Sequence, residues 1–172
     1  IYGINVQKRN GNITWDRGEF VTKNGRQEWD GDSGHGTHVA GTIAAVNNNG
    51  IGVAGVAGGN GSGNGVRIMS IQIFDGLGSA GLDGCAVGVE YAADNGACVL
   101  QNSWGFGAGQ ISNDSGFENG STSVEAQAFL YFMQTKNHPN LEGGIVIFAA
   151  GNDGKAVAGY PAAWNKLIAV SA

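Results

Sequence analysis

Short apolar segments alternate along this chain with longer segments whose apolar residues recur at helical spacing. The clearest strand candidates are residues 98–102 and 145–150, which are apolar and too short for a stable helix. The clearest helix candidates are residues 82–95 and 124–133. Strands that alternate with helices pair in parallel, and the helices cover the faces of the sheet. The sequence therefore predicts an α/β fold, a parallel sheet with helices on both faces.

Weaker patterns complete the predicted layout. We expect an irregular polar opening over 1–32, a helix over 35–46, strands over 51–56, 68–74 and 166–172, and loops over 58–65 and 106–123. The chain has 172 residues, with 32 glycines and only 13% charged residues. Such a composition is typical of one tightly packed domain with many close backbone approaches.

Charge and cysteine content narrow the functional classes. The net charge of −5 disfavours nucleic acid and acidic membrane surfaces as partners. The sequence also has no apolar run of about 20 residues that would span a bilayer. Cys85 falls in a predicted helix and Cys98 at the head of a strand, so we expect two buried free thiols and neither a disulfide nor a metal site.

The segment 34–43, GHGTHVAGTI, places a histidine at the start of a helix made of small residues. His35 would be held rigidly there, and Asp32 and Ser33 precede it as candidate caps. His38 would face another side of the helix, as a hydrogen-bonded core histidine. A single histidine at a helix start is more often structural, so this segment needs support from elsewhere in the chain.

That support comes from the segment 144–154, GIVIFAAGNDG. It is a buried parallel strand followed by small residues, and Asn152 lies just past the carboxyl end of the strand. Open α/β sheets bind their ligands at this edge. A simple turn asparagine is the alternative interpretation of Asn152.

Two further segments extend the pattern: 97–105, ACVLQNSWG, and 78–80, GSA. Together with the histidine and asparagine segments and the closing segment 160–172, YPAAWNKLIAVSA, they resemble the subtilases, the subtilisin-like serine proteases. The resemblance implies a three-layer subtilisin-like fold and a polypeptide substrate. It also implies a secreted or cell-surface protein.

The resemblance further implies a role for each matching residue. His35 would be the general base and then the acid of acyl transfer, and Asn152 would donate its side-chain amide to the oxyanion. Residues on two segments would hold the substrate backbone as an added strand: Gly78, Ser79 and Ala80, and Ser103, Trp104 and Gly105. Small residues would form the pocket floor: Ala149, Ala150 and Gly151.

Trp104 departs from the family pattern, since a smaller residue usually stands at this position. Its indole would either narrow the substrate pocket or pack toward the helix predicted over 124–133.

Two family segments are missing from these residues. The only D-S-G upstream of the histidine motif includes Asp32, follows the polar sequence RQEWDG, and is interpreted as a helix cap and not as the triad aspartate. The G-T-S-M-A serine motif does not occur either. We therefore expect residues 1–172 to be part of the catalytic domain of a serine endopeptidase, inactive in isolation.

The segment 47–53, NNNGIGV, resembles the calcium loop of subtilases, which uses an asparagine side chain and backbone carbonyls. The resemblance implies a structural calcium ion, with the other ligands outside these residues. No cofactor or metal is expected to take part in the chemistry.

Two alternatives come from other functional classes. Residues 76–81, GLGSAG, follow a predicted strand and open a helix, as in a dinucleotide-binding fingerprint. That interpretation is disfavoured because the next strand ends in Gln101, Asn102 and Ser103, without the acidic residue that binds the ribose. The second alternative is a catalytically dead protease homologue that acts as a binding module.

Overall fold

The structure is a computed structural model that describes residues 3–11, 13, 19–30, 34–75, 78–79 and 81–171. Its contacts divide the chain into two compact units, Ile1–Ser79 and Ala80–Ala172. Each unit has its own strands and helices, and each is considered by itself.

The first unit contains six short strands and one helix among its described residues. Its elements are β1 (Gly3–Asn5), β2 (Glu19–Lys23), β3 (Arg26–Asp30), α1 (His35–Ala44), β4 (Ser70–Gln72), β5 (Phe74–Asp75) and β6 (Gly78–Ser79). Strands β1 and β4 pair in parallel, whereas β2–β3 and β5–β6 pair antiparallel.

The second unit is built on a parallel sheet. Its elements are α2 (Gly81–Asp94), β7 (Val99–Asn102), α3 (Asp114–Asn119), α4 (Ser123–Gln134), β8 (Ile145–Ala149) and β9 (Ile168–Val170). The strand order is β7–β8–β9, with both pairs parallel and β8 in the centre. This confirms the predicted α/β fold and the strand and helix assignments in this half.

The core of the second unit lies between the sheet and helices α2 and α4. Phe148 of β8 and Phe129 of α4 are both fully buried, with ring centroids 5.4 Å apart at 88°. Small residues bring α2 and α4 close together, among them the buried Ala92 and Ala126. The other face of the sheet carries apolar side chains that are about half exposed: Val99, Ile168 and Val170.

A second aromatic cluster packs around α3. The ring centroid of Phe117 lies 5.4 Å from that of Tyr160 and 5.2 Å from that of Trp164. The Trp164 indole donates to Glu118 Oε1 at 2.8 Å, and Lys166 forms an ion pair with the same carboxylate. This cluster fixes the segment that leads into β9.

A carboxyl group is buried between α2 and α4. Glu125 is 1% exposed and accepts a hydrogen bond from the Cys85 thiol, while its Oε2 atom has no partner among the described residues. Burial raises the pKa of Glu125 to about 7 and, helped by the nearby carboxyl, that of Cys85 to about 12. Both cysteines are free, as predicted, but Cys98 is only half-buried.

Several predicted elements are wrong. The polar opening contains the exposed β2–β3 hairpin, residues 51–56 form no strand, and the strand predicted over 68–74 is interrupted at Ile73. The loop predicted over 106–123 contains helix α3, whose cap Asn113 accepts from the Gly116 N–H at 2.9 Å. The hairpin and α3 form through backbone pairing and a side-chain cap, although neither segment has a strong apolar pattern.

Helix α1 also differs in detail from its prediction. Its N-cap residue is Gly34, in a left-handed conformation with φ 71°, and not Asp32 or Ser33, which lie outside the described residues. His38 is exposed, so its assignment as a core histidine is wrong. Glycine supplies this cap because its φ costs no steric strain.

Candidate active site

The two candidate segments of the second unit meet at one edge of the parallel sheet. Asn102, the last residue of β7, lies opposite Phe148 of β8, so both strands end at the same level. Residues 103–105 and 150–152 therefore leave the sheet side by side. The Ala150 N–H donates to the Val170 carbonyl at 2.8 Å and continues the β8–β9 pairing past the strand end.

Asn102 ties these strand ends together. Its Nδ2 atom donates to the carbonyls of Leu100 and Ile147, each at 3.2 Å, and its Oδ1 accepts from the Trp104 indole at 3.1 Å. The residue is 6% exposed. Our sequence analysis assigned it no role, although a polar residue at a buried position of an apolar strand was the available signal.

The Trp104 side chain packs toward the core. Its ring lies 5.2 Å from Phe148 in an edge-to-face arrangement at 73°, and Phe148 in turn contacts Phe129 of α4. Of the two orientations predicted for Trp104, this geometry favours the one toward the helix.

Asn152 stands at the rim of the sheet. Gly151 precedes it with φ 99°, a left-handed conformation that turns the chain as it leaves β8. Asn152 is exposed, whereas Phe148, the second-last residue of strand β8, is fully buried. A side-chain amide in this position can donate to a group bound outside the sheet edge.

A cavity of about 330 Å³ lies next to this turn. Two of the three predicted floor residues, Ala150 and Gly151, line it. The rest of the lining comes from the following loop and two other segments: Ala108, Asp153, Gly154, Lys155, Ala156, Val157, Ala158 and Ser171. The lining is mixed, with small apolar side chains beside the charged Asp153 and Lys155 and the polar Ser171.

The segment after Trp104 runs along the segment before β9. The Phe106 N–H donates to the Tyr160 carbonyl at 2.7 Å, and a Cβ at Gly159 would overlap the Phe106 carbonyl oxygen. The Tyr160 hydroxyl donates to Asp114 Oδ1 at 2.6 Å. Burial, together with this hydrogen bond, raises the pKa of Tyr160 to about 12. Both segments are thus held rigidly beside the cavity.

Three of the remaining predicted site residues, His35, Gly78 and Ser79, belong to the first unit. His35 is the first residue of α1 and is exposed. Gly78 and Ser79 form β6, with Ser79 opposite Phe74. Ala80 lies outside the described residues.

The glycine-rich segment that suggested a dinucleotide site has the wrong context. Gly78 and Ser79 lie in a strand antiparallel to Phe74–Asp75, whereas the fingerprint requires a turn directly from a strand into a helix. Gly76 lies outside the described residues. This arrangement disfavours a dinucleotide site.

Comparison with known proteins identifies the family. The model of the Subtilase family matches residues 3–172. The chain belongs to the subtilase family.

Named relatives agree with this assignment. The chain is 36% identical to thermitase of Thermoactinomyces vulgaris, over 81% of this chain and 41% of that protein. It is 36% identical to alkaline elastase YaB of Bacillus sp. (strain YaB), over 81% of this chain and 30% of the relative. It is 34% identical to subtilisin Savinase of Lederbergia lenta, over 81% of this chain and 42% of the relative. The chain thus spans less than half the length of these subtilases.

Within the part of the chain that the structure describes, no group of three or more His, Cys, Asp or Glu side chains could hold a metal ion. A calcium loop of asparagine and carbonyl ligands is a different kind of site. In the loop 47–53, the Asn49 Oδ1 atom accepts from the Ile51 N–H at 3.0 Å, while the buried Asn47 Oδ1 has no partner among the described residues. An orphaned amide oxygen is a suitable ligand for a hard cation such as Ca²⁺.

Proposed function

We propose that this chain forms part of a serine endopeptidase that hydrolyses peptide bonds by acyl transfer. His35 removes the proton of a serine hydroxyl and later returns it to the leaving amine. Asn152 donates its side-chain amide to the oxyanion of the tetrahedral intermediate. The serine and the aspartate come from segments outside these residues, in what we call the longer protein. Membership of the subtilase family supports this proposal.

The position of Asn152 is the main observation that supports the proposed protease function. The residue is exposed, follows a left-handed glycine and stands at the carboxyl end of a central parallel strand, beside a cavity of about 330 Å³. A group that donates to a developing negative charge must be held rigidly by the protein and must be accessible to the substrate. The buried aromatic contacts of Phe148 hold the end of β8, and with it the start of the Asn152 turn, in place.

The proposed substrate is a polypeptide bound as an added strand. Its backbone would pair with residues that precede and follow α2: Gly78, Ser79, Ala80, Ser103, Trp104 and Gly105. Its side chain before the scissile bond would enter the cavity over Ala149, Ala150 and Gly151. The Trp104 indole would then support the site indirectly, because it packs on Phe148 and holds the end of the strand in place.

Replacing Asn152 with Ala in the longer protein tests the proposal. We expect kcat to fall by about 10² to 10³ with little change in KM, a magnitude taken from the oxyanion asparagine of a subtilisin. The amide meets full charge only in the transition state, so kcat and not substrate binding should change. A loss confined to KM would make Asn152 a pocket residue and contradict its role.

Structural calcium is a second proposal. The loop 47–53 would hold the ion through the orphaned Asn47 Oδ1 and backbone carbonyls, and the ion would stabilise the turn without taking part in the chemistry. Chelation should then lower the Tm of the longer protein, and the Asn47→Ala variant should lose this dependence on calcium. A Tm of the native protein that does not respond to a chelator would contradict the site.

We also propose secretion or display at the cell surface, by analogy with the family. The described residues contain no helix long and apolar enough to cross a bilayer. The net charge of −5 disfavours nucleic acid and acidic membranes as partners. A catalytically dead homologue that binds peptides without cleaving them is the alternative proposal.

A further inference from the structure

A tight turn forms one wall of the cavity beside Asn152. The Gln110 N–H donates to the Gly107 carbonyl at 3.1 Å, and the Gln110 side chain accepts from the Gly107 N–H at 3.2 Å. Gly109 has φ 90°, as the third position of a type II turn requires. The second position is Ala108, which is buried and lines the cavity.

Two charged side chains hold the backbone of Ala108 from the loop that follows Asn152. The Ala108 N–H donates to Asp153 Oδ2 at 2.6 Å, and Lys155 Nζ donates to the Ala108 carbonyl at 3.0 Å. Both hydrogen bonds involve a charged group, and such bonds are shorter and stronger than neutral ones. The two polar groups of one residue are therefore fixed at once, across 45 and 47 positions of sequence.

We propose that Asp153 and Lys155 are positioning residues that set the width of the cavity next to the oxyanion donor. We call the pair the Ala108 clamp. Asp153 directly follows Asn152, so the clamp links the loop of the oxyanion donor to the opposite wall of the cavity. This inference rests on the proposed function, because it takes the cavity as the place of a substrate side chain.

The clamp also determines which side chains the cavity accepts. Both charged side chains along its lining, Asp153 and Lys155, form hydrogen bonds with the Ala108 backbone and so hold this wall in place. A fixed wall discriminates among substrate side chains by their size. The clamp would therefore make the protease select the side chain before the scissile bond by its size.

Amide hydrogen exchange of the longer protein tests the clamp itself. Asp153→Ala should accelerate exchange of the Ala108 amide by tenfold or more, since it removes the charged acceptor. Asp153→Asn keeps an acceptor oxygen and should restore most of the protection. Lys136→Ala, which removes an exposed ion pair of the same unit, is the matched control and should leave the Ala108 amide unchanged. Unchanged exchange in Asp153→Ala would overturn the clamp.

Selectivity tests the positioning role. Peptides with Ala, Leu or Phe before the scissile bond are compared by kcat/KM in the longer protein. Lys155→Met keeps the aliphatic stem but loses the donor, and it should reduce the preference among these peptides about fivefold, with Lys155→Arg restoring it. An equal loss of activity on all three peptides would mean a merely structural role and would contradict the inference.

A failure of the proposed protease function can be distinguished from a failure of the Ala108 clamp. If the wild-type longer protein hydrolyses no peptide, the proposed function fails and the selectivity role fails with it. Exchange at Ala108 then still decides whether Asp153 and Lys155 hold the turn.

Discussion

The histidine helix and the strand that leads to Asn152 carry equally specific family motifs, but the chain supports them in different ways. None of the ten residues of α1 is buried in the structure as described. In contrast, Phe148 of β8 is fully buried and makes edge-to-face contacts with Trp104 and Phe129. One motif is mounted on an aromatic core, and the other is not.

Backbone contacts support α1 instead. The N–H groups of Gly55, Val56 and Ala57 donate to carbonyls in its last turn and at Ala45 at 2.8–2.9 Å. A Cβ at Gly58 would overlap the Ala45 carbonyl oxygen, so only glycine allows this approach. A family motif can therefore predict the chemical role of a residue without predicting which contacts hold that residue in place. Side-chain truncation should damage the two regions unequally.

The largest effect is expected from truncating the aromatic core. Phe148→Ala should lower the free energy of unfolding of the second unit by about 3–5 kcal/mol, because it removes buried apolar surface and leaves a cavity. Ile43→Ala in α1 is the matched truncation at a half-buried position and should cost about 1 kcal/mol or less. Residue-resolved amide exchange in denaturant measures both. Equal losses would break the comparison.

The buried Glu125 carboxyl should make the stability of the second unit depend on pH. Its pKa is raised from 4.5 to about 7, so the folded state binds the proton more tightly than the unfolded state. The contribution to stability is then fully present below pH 4.5 and is lost as the pH rises through 7, by about 3 kcal/mol. Urea denaturation across this range measures the slope.

Two variants control the pH experiment. Glu125→Gln, a neutral isostere, should remove the slope, whereas Glu142→Gln, at an exposed position, should keep it. A slope that persists in Glu125→Gln would assign the pH dependence to another group.

A smaller effect is expected at Trp104. Because its indole packs on Phe148, Trp104→Leu should cost about 1–2 kcal/mol of stability and leave the preference among peptide substrates unchanged. Thermal unfolding and a peptide library profile, measured on the same variant, separate the two roles. Wider acceptance of bulky side chains at an unchanged Tm would instead restore the pocket role of the indole.

Sequence predicted those elements whose pattern is strong. Helices α2 and α4 and strands β7 and β8 combine length with clear apolar spacing, and the structure confirms all four. The strand prediction for 51–56 was wrong because its apolar residues alternate with glycine and alanine, and the Val56 N–H donates to the Thr42 carbonyl of α1. Helix α3 was missed because its signal is a single cap, Asn113, within a polar glycine-rich segment.

The site was predictable only as far as motifs reach. Motif matching predicted Asn152 and the small residues before it. It could not predict the Ala108 clamp or the contact between Cys85 and Glu125, because these pairs are separated by about 40 residues and belong to no local pattern. Such contacts depend on how the strands and helices pack.

Covalent labelling with a fluorophosphonate tests the central claim most directly. The longer protein should be labelled at its serine and should cleave peptides, and His35→Ala should lower both rates by roughly 10⁴ or more. The 172-residue chain alone, which carries neither the serine motif nor the triad aspartate, should be neither labelled nor active. Labelling of His35→Ala at the native rate would contradict the role of His35. A longer protein that is not labelled at all would instead be the catalytically dead homologue.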